Sequence, residues 1–320
     1  MQRQFFFILP ITIGLNISSI FAASLILSQP NGFLWVRNTI FSTPKPLADV
    51  STSAELPPPP SITYHPQNDL SNIPILRQAR TLCIGRNHLC LPYTLAGYLA
   101  TRTKTSVCGS YATRKDLISG VLAGGGCCSD VVKTFLLLLS SSGIQAREVH
   151  IPSHTTVEIW DSLNNRWIWL DPFIGYQAFH AKNPLSHMGI YTSFQQGTPV
   201  EFTTIKSPWP IDITPTPNYA GHRPSSYQFL YYTPSDSLII SSPLSDALGS
   251  LGVNKIFREL ILYLSVKPHL SSTASGLNYF LIVASRYLTL SFIFSWISST
   301  LLLVTLLISL SKSCDTDQYR

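Results

Sequence analysis

Charge is scarce in this sequence. Only 12% of its residues are Asp, Glu, Lys or Arg, against about 25% in a typical soluble domain, while 45% are hydrophobic, so a disordered or supercharged chain is excluded. Six cysteines among 320 residues are too few for a disulfide scaffold, and no CxxC motif is followed by a second one, which excludes a common kind of zinc site. The net charge of +6 comes from basic residues scattered singly, without interleaved aromatics, so no nucleic-acid partner is expected.

A long apolar run occupies the N-terminus. Residues 5–27 contain no charged side chain and follow the basic residue Arg3, and about 20 such residues are enough to cross a bilayer core. This pattern favours an N-terminal signal-anchor or transmembrane helix over residues 1–28. The small residues at 22–24 leave a cleaved signal peptide as the alternative. A short basic start before an apolar run is typical of exported chains, so we expect the globular region to be extracytoplasmic.

A second apolar run lies near the C-terminus. Residues 287–310 are uncharged and are bracketed by Arg286 and Lys312. The run predicts a C-terminal transmembrane helix over residues 277–311, followed by a tail at 312–320. We therefore expect an integral membrane protein with membrane lipid as one partner.

Composition divides the residues between these runs into three parts. Residues 29–64 are rich in proline, which predicts an extended linker. Residues 65–235 form the globular region. Residues 236–270 form an amphipathic helix region, because apolar side chains recur at helical spacing over 245–266. That helix either packs against the globular region or lies on the membrane surface.

The chemistry is expected where three glycines, 124–126, precede Cys127 and Cys128. Apolar residues over 131–139 predict a mostly buried helix that ends near Gly143. A cysteine thus lies at a helix N-terminus, where the helix dipole and the backbone N–H groups favour the nucleophilic thiolate.

The residues after this helix show the period-two pattern of strands. Strands are expected over 146–151, 154–160 and 166–171, with a turn at 161–165 between the last two. His154 and Asp171 then lie on neighbouring strands of one hairpin. Beside the helix, such strands can bring a base to the thiol and an orienting carboxylate to the base.

Four sequence blocks resemble the transglutaminase-like superfamily, whose signature runs G-x-C-x-D/E, then G-I-x-A-R-x-V, then a strand beginning with His, then W-x-x-L/V-D-P. The matching blocks are Gly126–Asp130, Gly143–Val149, His154–Ile159 and Trp167–Pro172. The resemblance covers residues 115–175. It implies an α+β fold, in which a papain-like core packs the nucleophile helix on an antiparallel sheet. With the two apolar runs, the expected architecture is this core flanked by transmembrane helices.

The resemblance also implies the site residues. Cys128 would be the nucleophile, His154 the general base and acid, and Asp171 the residue that orients the imidazole. Aligning the first block places Asp130 in the acidic position and selects Cys128, with Cys127 as the runner-up. The implied activity is that of a cysteine-dependent amidohydrolase or acyltransferase, either transglutaminase-like or a cysteine peptidase. Its substrate would be a peptide, protein or cell-envelope amide, and no cofactor or metal is implied.

The chain departs from the family pattern at one position, and the pattern does not identify its oxyanion donor. Thr156 stands two residues after the His, where many relatives carry an aromatic residue. An oxyanion donor is needed upstream of the cysteine, and Gln78, Asn87 and Tyr111 are all candidates. A non-catalytic transglutaminase-like binding or assembly module is therefore the alternative function.

The remaining polar residues are predicted to be structural. Cys83, His88, Cys90 and Cys108 lack a spacing typical of zinc, and a Cys83–Cys90 disulfide is favoured in an exported domain. In the same compartment Cys127 can join a disulfide beside the nucleophile. Glu158 is interpreted as a surface carboxylate of its strand.

Overall fold

The structure is a computed structural model of the 320-residue chain. The chain divides into two compact units, one formed by residues 1–40 with 276–320 and the other by residues 41–275. The fold and the candidate site below belong to the second unit. The structure describes residues 42–45, 72–102, 107–109, 111–151, 154–209, 231–234, 243–253, 270–273 and 295–305, and the single residues 10, 13, 14, 17, 21, 57, 70 and 308.

Helices precede and follow the central strands of the second unit. Local sequence sets several of their ends: Pro74 starts the first helix, Thr113 and Asp116 form a capping box before the third, and Gly197 closes the fifth in the left-handed conformation. The helices are α1 (Pro74–Leu82), α2 (Cys90–Arg102), α3 (Arg114–Leu122), α4 (Cys128–Ser140), α5 (His187–Gln196) and α6 (Pro243–Ser250).

The strands form one sheet with the order β1-β9-β8-β2-β3-β4-β5-β6, and β7 pairs with β5. All pairings are antiparallel except that of β1 with β9. The strands are β1 (Ser42–Lys45), β2 (Ala146–Ile151), β3 (His154–Asp161), β4 (Arg166–Asp171), β5 (Tyr176–His180), β6 (Asn183–Pro184), β7 (Glu201–Thr204), β8 (Tyr231–Pro234) and β9 (Leu270–Thr273).

The expected α+β core with a helix on an antiparallel sheet is therefore present. The predicted strands of the central hairpins are confirmed as β2, β3 and β4, and the predicted helix is confirmed as α4. Both faces of these strands are covered. Ile168 and Leu170 pack in the same cluster as Phe135 of α4, whereas Trp169 belongs to a second cluster with Met188 of α5. Side chains alternate across a strand, so β4 contributes to both clusters and is buried along nearly its whole length.

The expectation of flanking transmembrane helices is wrong. Among the described residues, no helix is long and apolar enough to cross a membrane. Most of the two predicted segments, 1–28 and 277–311, and the whole tail at 312–320 lie outside the described residues.

The predicted helix over 245–266 is only partly confirmed. Helix α6 ends at Ser250, and a turn follows in which Gly252 has φ of 73°. The described part packs against the domain, because Asp246 accepts hydrogen bonds from the backbone and the guanidinium of Arg114, at 2.9 and 2.8 Å. Residues 254–269 lie outside the described part of the chain. So does most of the predicted linker, whose residues 42–45 form β1.

Candidate active site

Cys128 is the first residue of α4. The preceding Gly124 and Gly126 have φ of 97° and 94°, a conformation that side chains disfavour, and this turn brings the chain into the helix. Asp130 fixes the helix start, because its Oδ2 accepts the backbone N–H of Cys127 at 3.2 Å. The nucleophile candidate is thus presented by a rigid helix N-terminus.

Disulfide pairing separates the two adjacent cysteines. Cys127 is bonded to Cys108, with their Cα atoms 4.4 Å apart. Cys128 is the free cysteine of the part of the chain that the structure describes, and it is half-buried. A disulfide sulfur is not a nucleophile toward a carbonyl, so this pairing favours Cys128 over the runner-up Cys127.

His154 and Asp171 form a short, buried hydrogen bond. The Nε2–H of His154 donates to Oδ2 of Asp171 at 2.6 Å. The other oxygen, Oδ1, accepts the backbone N–H groups of Phe173 and Ile174 at 2.9 and 3.3 Å. The turn after β4 thus holds the carboxylate, and the carboxylate holds the imidazole so that Nδ1 remains for Cys128.

The pairing register explains why these two side chains meet. Val157 of β3 pairs with Leu170 of β4. His154 and Asp171 therefore lie on the same face of the sheet, near neighbouring strand ends, because side chains alternate along each strand. Cys128 begins α4 as His154 begins β3, and the two elements meet at these ends.

The electrostatics of the pair favour a thiolate and an imidazolium. Burial alone would raise the pKa of the Cys128 thiol, but hydrogen bonds from the His154 ring and the Thr155 backbone, with the charge of His154, bring that pKa below its ordinary value. Burial would likewise lower the pKa of His154. The charge and hydrogen bond of Asp171, followed by the contact with Cys128, outweigh it and raise the pKa of His154 to about 10.

An aromatic residue packs beside the base, but from another position than the family pattern gives. The Phe173 ring lies edge-on to the His154 ring, with centroids 6.0 Å apart. Thr156 instead accepts a hydrogen bond from the Trp169 indole at 3.0 Å. Phe173 directly follows the Asp171–Pro172 pair and was not among the predicted site residues.

The three candidate oxyanion donors lie in different surroundings. Gln78 and Asn87 are exposed, on α1 and on the loop that follows it. The Tyr111 ring lies against Gly109 and Gly120, where an added Cβ would come within 2.3 Å of it. The hydrogen bonds that the structure gives Cys128 are with His154 and Thr155. The backbone N–H groups of Cys128 and Ser129, at the start of α4, are the donors closest in sequence to the thiol.

Glu158 is buried, so its interpretation as a surface carboxylate is wrong. Its Oε2 accepts a hydrogen bond from Nε of Arg147 at 2.6 Å, and the Arg147 guanidinium lies 4.0 Å from the centre of the Trp167 ring. Its Oε1 accepts the backbone N–H of His187 at 2.6 Å. Glu158 therefore connects β3 with β2 and with the start of α5, and both faces of β3 are covered.

The other described cysteines, Cys83, Cys90, Cys108 and Cys127, are all in disulfides. The favoured Cys83–Cys90 disulfide is confirmed, and His88 between them contacts Asp161 at 2.8 Å. In the described part of the chain one group has metal-ligand spacing, with its donor atoms within 4.8 Å of one another, and it consists of Cys108, Cys127 and Asp130. Its two sulfurs are joined in the disulfide and are not thiolate ligands.

Comparison of this chain with family models, curated proteins and solved structures finds no match. The transglutaminase-like resemblance thus rests on the four sequence blocks.

Proposed function

We propose that this protein is a cysteine-dependent acyl-transfer enzyme of the transglutaminase-like kind, acting on a peptide, protein or cell-envelope amide. The observation that carries the proposal is the hydrogen-bonded series of Cys128, His154 and Asp171, with a thiol of lowered pKa at one end and a buried carboxylate at the other. A nucleophile, a base in contact with it and a group that orients the base are the parts that covalent acyl transfer requires.

The first half of the reaction forms a thioester. The thiolate of Cys128 attacks the carbonyl carbon of the amide, and the N–H groups at the start of α4 stabilise the oxyanion of the tetrahedral intermediate. The imidazolium of His154 then gives its proton to the leaving amine, and the C–N bond breaks. Asp171 keeps the ring in the orientation that both steps need.

The second half releases the acyl group. Neutral His154 takes a proton from a water molecule or from an acceptor amine, which attacks the thioester carbon, and the C–S bond breaks. Water gives a carboxylate and an amine gives a new amide, while Cys128 leaves as the thiolate beside imidazolium. The same residues therefore serve hydrolysis and transfer.

Two disulfides within the domain support an extracytoplasmic location, because such bonds persist in oxidising compartments and are rare in the cytosol.

The proposal is tested with the full-length chain, purified in detergent without reductant. Glutamine-containing proteins and peptides and cell-envelope peptides are incubated with and without a labelled primary amine, and mass spectrometry follows hydrolysis and amine incorporation separately. We expect turnover that Cys128→Ala and His154→Ala abolish, while Ser129→Ala, next to the nucleophile, retains it. Activity unchanged in Cys128→Ala refutes the mechanism. A folded protein with an inert Cys128 and no turnover favours the binding or assembly module.

A further inference from the structure

Helices α1 and α2 and the loop between them carry only positively charged side chains. Residues 72–102, which include α1 and α2, contain four arginines and no Asp or Glu. Their side chains are all exposed, and they are Arg77, Arg80, Arg86 and Arg102. Arg80 is used within the fold, where it donates to the backbone oxygen of Ser141 and to the Ser142 hydroxyl. Arg86 lies in the loop that joins α1 to α2, whereas Arg77 and Arg102 lie within the helices.

That loop is short and cross-linked. The Cys83–Cys90 disulfide closes it with a Cα–Cα distance of 5.6 Å, and Gly85 turns the chain with φ of 71°. Ile84 is 78% exposed at this turn. The disulfide fixes the loop, so an aliphatic side chain is held out in solvent beside Arg86.

The turn between β3 and β4 adjoins this loop and also exposes an aliphatic side chain near an arginine. His88 contacts Asp161 at 2.8 Å and thereby joins the cross-linked loop to the turn between β3 and β4. Leu163 in this turn is 74% exposed. Arg166 lies 3.5 Å from Asp161 with a partly exposed side chain, whereas the carboxylate of Asp161 is buried. The exposed side chains of Ile84 and Leu163 thus each lie on a loop with an arginine, and the Asp161 carboxylate between the two loops is buried.

We propose that this tip surface, formed by Ile84, Arg86, Leu163 and Arg166, docks on an anionic phospholipid bilayer. Ile84 and Leu163 enter the boundary between headgroups and acyl chains, and the two arginines contact lipid phosphates. Peripheral binding of this kind combines buried apolar area with attraction to anionic lipid, and each arginine near the surface strengthens it roughly fivefold.

The shape of the surface favours a bilayer over a protein partner. A specific protein interface buries about 800 Å² on each side and is enriched in aromatic residues. Here the exposed apolar residues are two aliphatic side chains, one on each loop, which suits a soft surface that requires no matching shape. The tips lie at the Asp161 end of β3, whereas His154 begins that strand roughly 23 Å away at 3.3 Å per residue. Docking would therefore leave the triad free of the membrane.

Hydrogen–deuterium exchange of the full-length chain tests this proposal. The chain is mixed with vesicles of phosphatidylcholine alone and with vesicles that also contain phosphatidylglycerol. Comparing the two compositions cancels any lipid contact that does not depend on lipid charge. We expect slower exchange in peptides covering 83–90 and 161–166 when phosphatidylglycerol is present, and loss of this protection at high salt.

Two double variants separate the charge from the apolar contribution. Arg86→Gln/Arg166→Gln and Ile84→Ser/Leu163→Ser should each remove most of the protection, whereas Lys182→Gln, an exposed cation on the turn after β5, should not. Equal alkylation of Cys128 in all variants shows that they are folded.

Identical exchange in the two vesicle types overturns the proposal. So does equal protection by soluble heparin that persists in Ile84→Ser/Leu163→Ser, because the surface would then bind a polyanion rather than lipid.

Discussion

Asp171 holds His154 through Nε2 at 2.6 Å, and His154 in turn contacts Cys128. This relationship makes the carboxylate responsible for the charge of the imidazole, although it does not touch the sulfur. The pKa of Cys128 therefore depends on a residue on the far side of the ring.

Asp171→Asn should remove that dependence. The side-chain amide is close in size, but without the negative charge the pKa of His154 falls, and the thiolate of Cys128 loses the cation that stabilises it. We expect alkylation of Cys128 by iodoacetamide at pH 7 to slow by about tenfold or more, with its midpoint moving toward the free thiol value of about 8.5. Mass spectrometry of the labelled peptide gives the rate. Glu201→Gln, an exposed carboxylate on β7, is the control, and an unchanged rate in Asp171→Asn would exclude the electrostatic coupling.

The raised pKa of His154 predicts how stability depends on pH. Its folded-state pKa of about 10 lies above the unfolded value of about 6.5, so the native protein binds this proton more tightly. The stability that the group contributes is complete below pH 6.5 and is lost as the pH rises through about 10. Urea unfolding between pH 6 and pH 10.5 should show a decline that His154→Gln lacks. Parallel curves for the two proteins would contradict the assignment.

Phe173 is expected to position the base. Phe173→Leu keeps the backbone N–H that binds Asp171 but removes the ring edge packed on His154. Because such contacts are worth about 0.5–1.5 kcal/mol, we expect the rate of Cys128 alkylation at neutral pH to fall about two- to tenfold. The midpoint of the pH profile should shift as well, which a loss of stability alone would not cause. Phe194→Leu, in the second core cluster, is the matched control.

The central part of the fold was predictable because its signals are local. Alternation over 146–171 reflects consecutive hairpins, and the glycines before Cys128 with the run after it mark one helix start. Strands β1, β8 and β9 were not predicted, because their partners are distant in sequence and nothing in four residues encodes a distant register.

Among the site residues, too, those set by local sequence were predictable and those set by distant contacts were not. His154 and Asp171 follow from hairpin geometry, but the Cys108–Cys127 pairing depends on how a distant loop folds against α4. Glu158 was misjudged because strand alternation assigns one face to solvent, whereas α5 covers that face in the structure.

The Cys108–Cys127 disulfide should stabilise the fold without taking part in catalysis. The loop it closes has a sequence separation of 19, for which chain entropy gives about 3 kcal/mol. Cys108→Ser/Cys127→Ser should lower the free energy of unfolding by about that amount in urea. The alkylation rate of Cys128 should stay within a few-fold, because Asp130 still holds the backbone of Gly109 at 2.8 Å and that of Cys127. Cys83→Ser/Cys90→Ser provides the matched control. Loss of turnover in Cys108→Ser/Cys127→Ser while the protein remains fully folded would restore Cys127 as a candidate nucleophile.

Glu158 provides a test of the buried ion pair that it forms with Arg147. Glu158→Gln keeps the shape of the side chain but leaves the Arg147 guanidinium without its charged partner in a site closed to water. Breaking a buried ion pair from one side typically costs about 3–5 kcal/mol, more than the net worth of the pair itself, because the remaining charge is stranded. Urea unfolding should show that loss, while Glu201→Gln on the exposed edge should change stability by less than about 0.5 kcal/mol. The double variant Arg147→Met/Glu158→Leu should recover part of it, because neither partner of the pair is then left as an unpaired charge, while the His187 N–H still loses its acceptor. A single variant as stable as the wild type would mean that water reaches the Arg147 guanidinium.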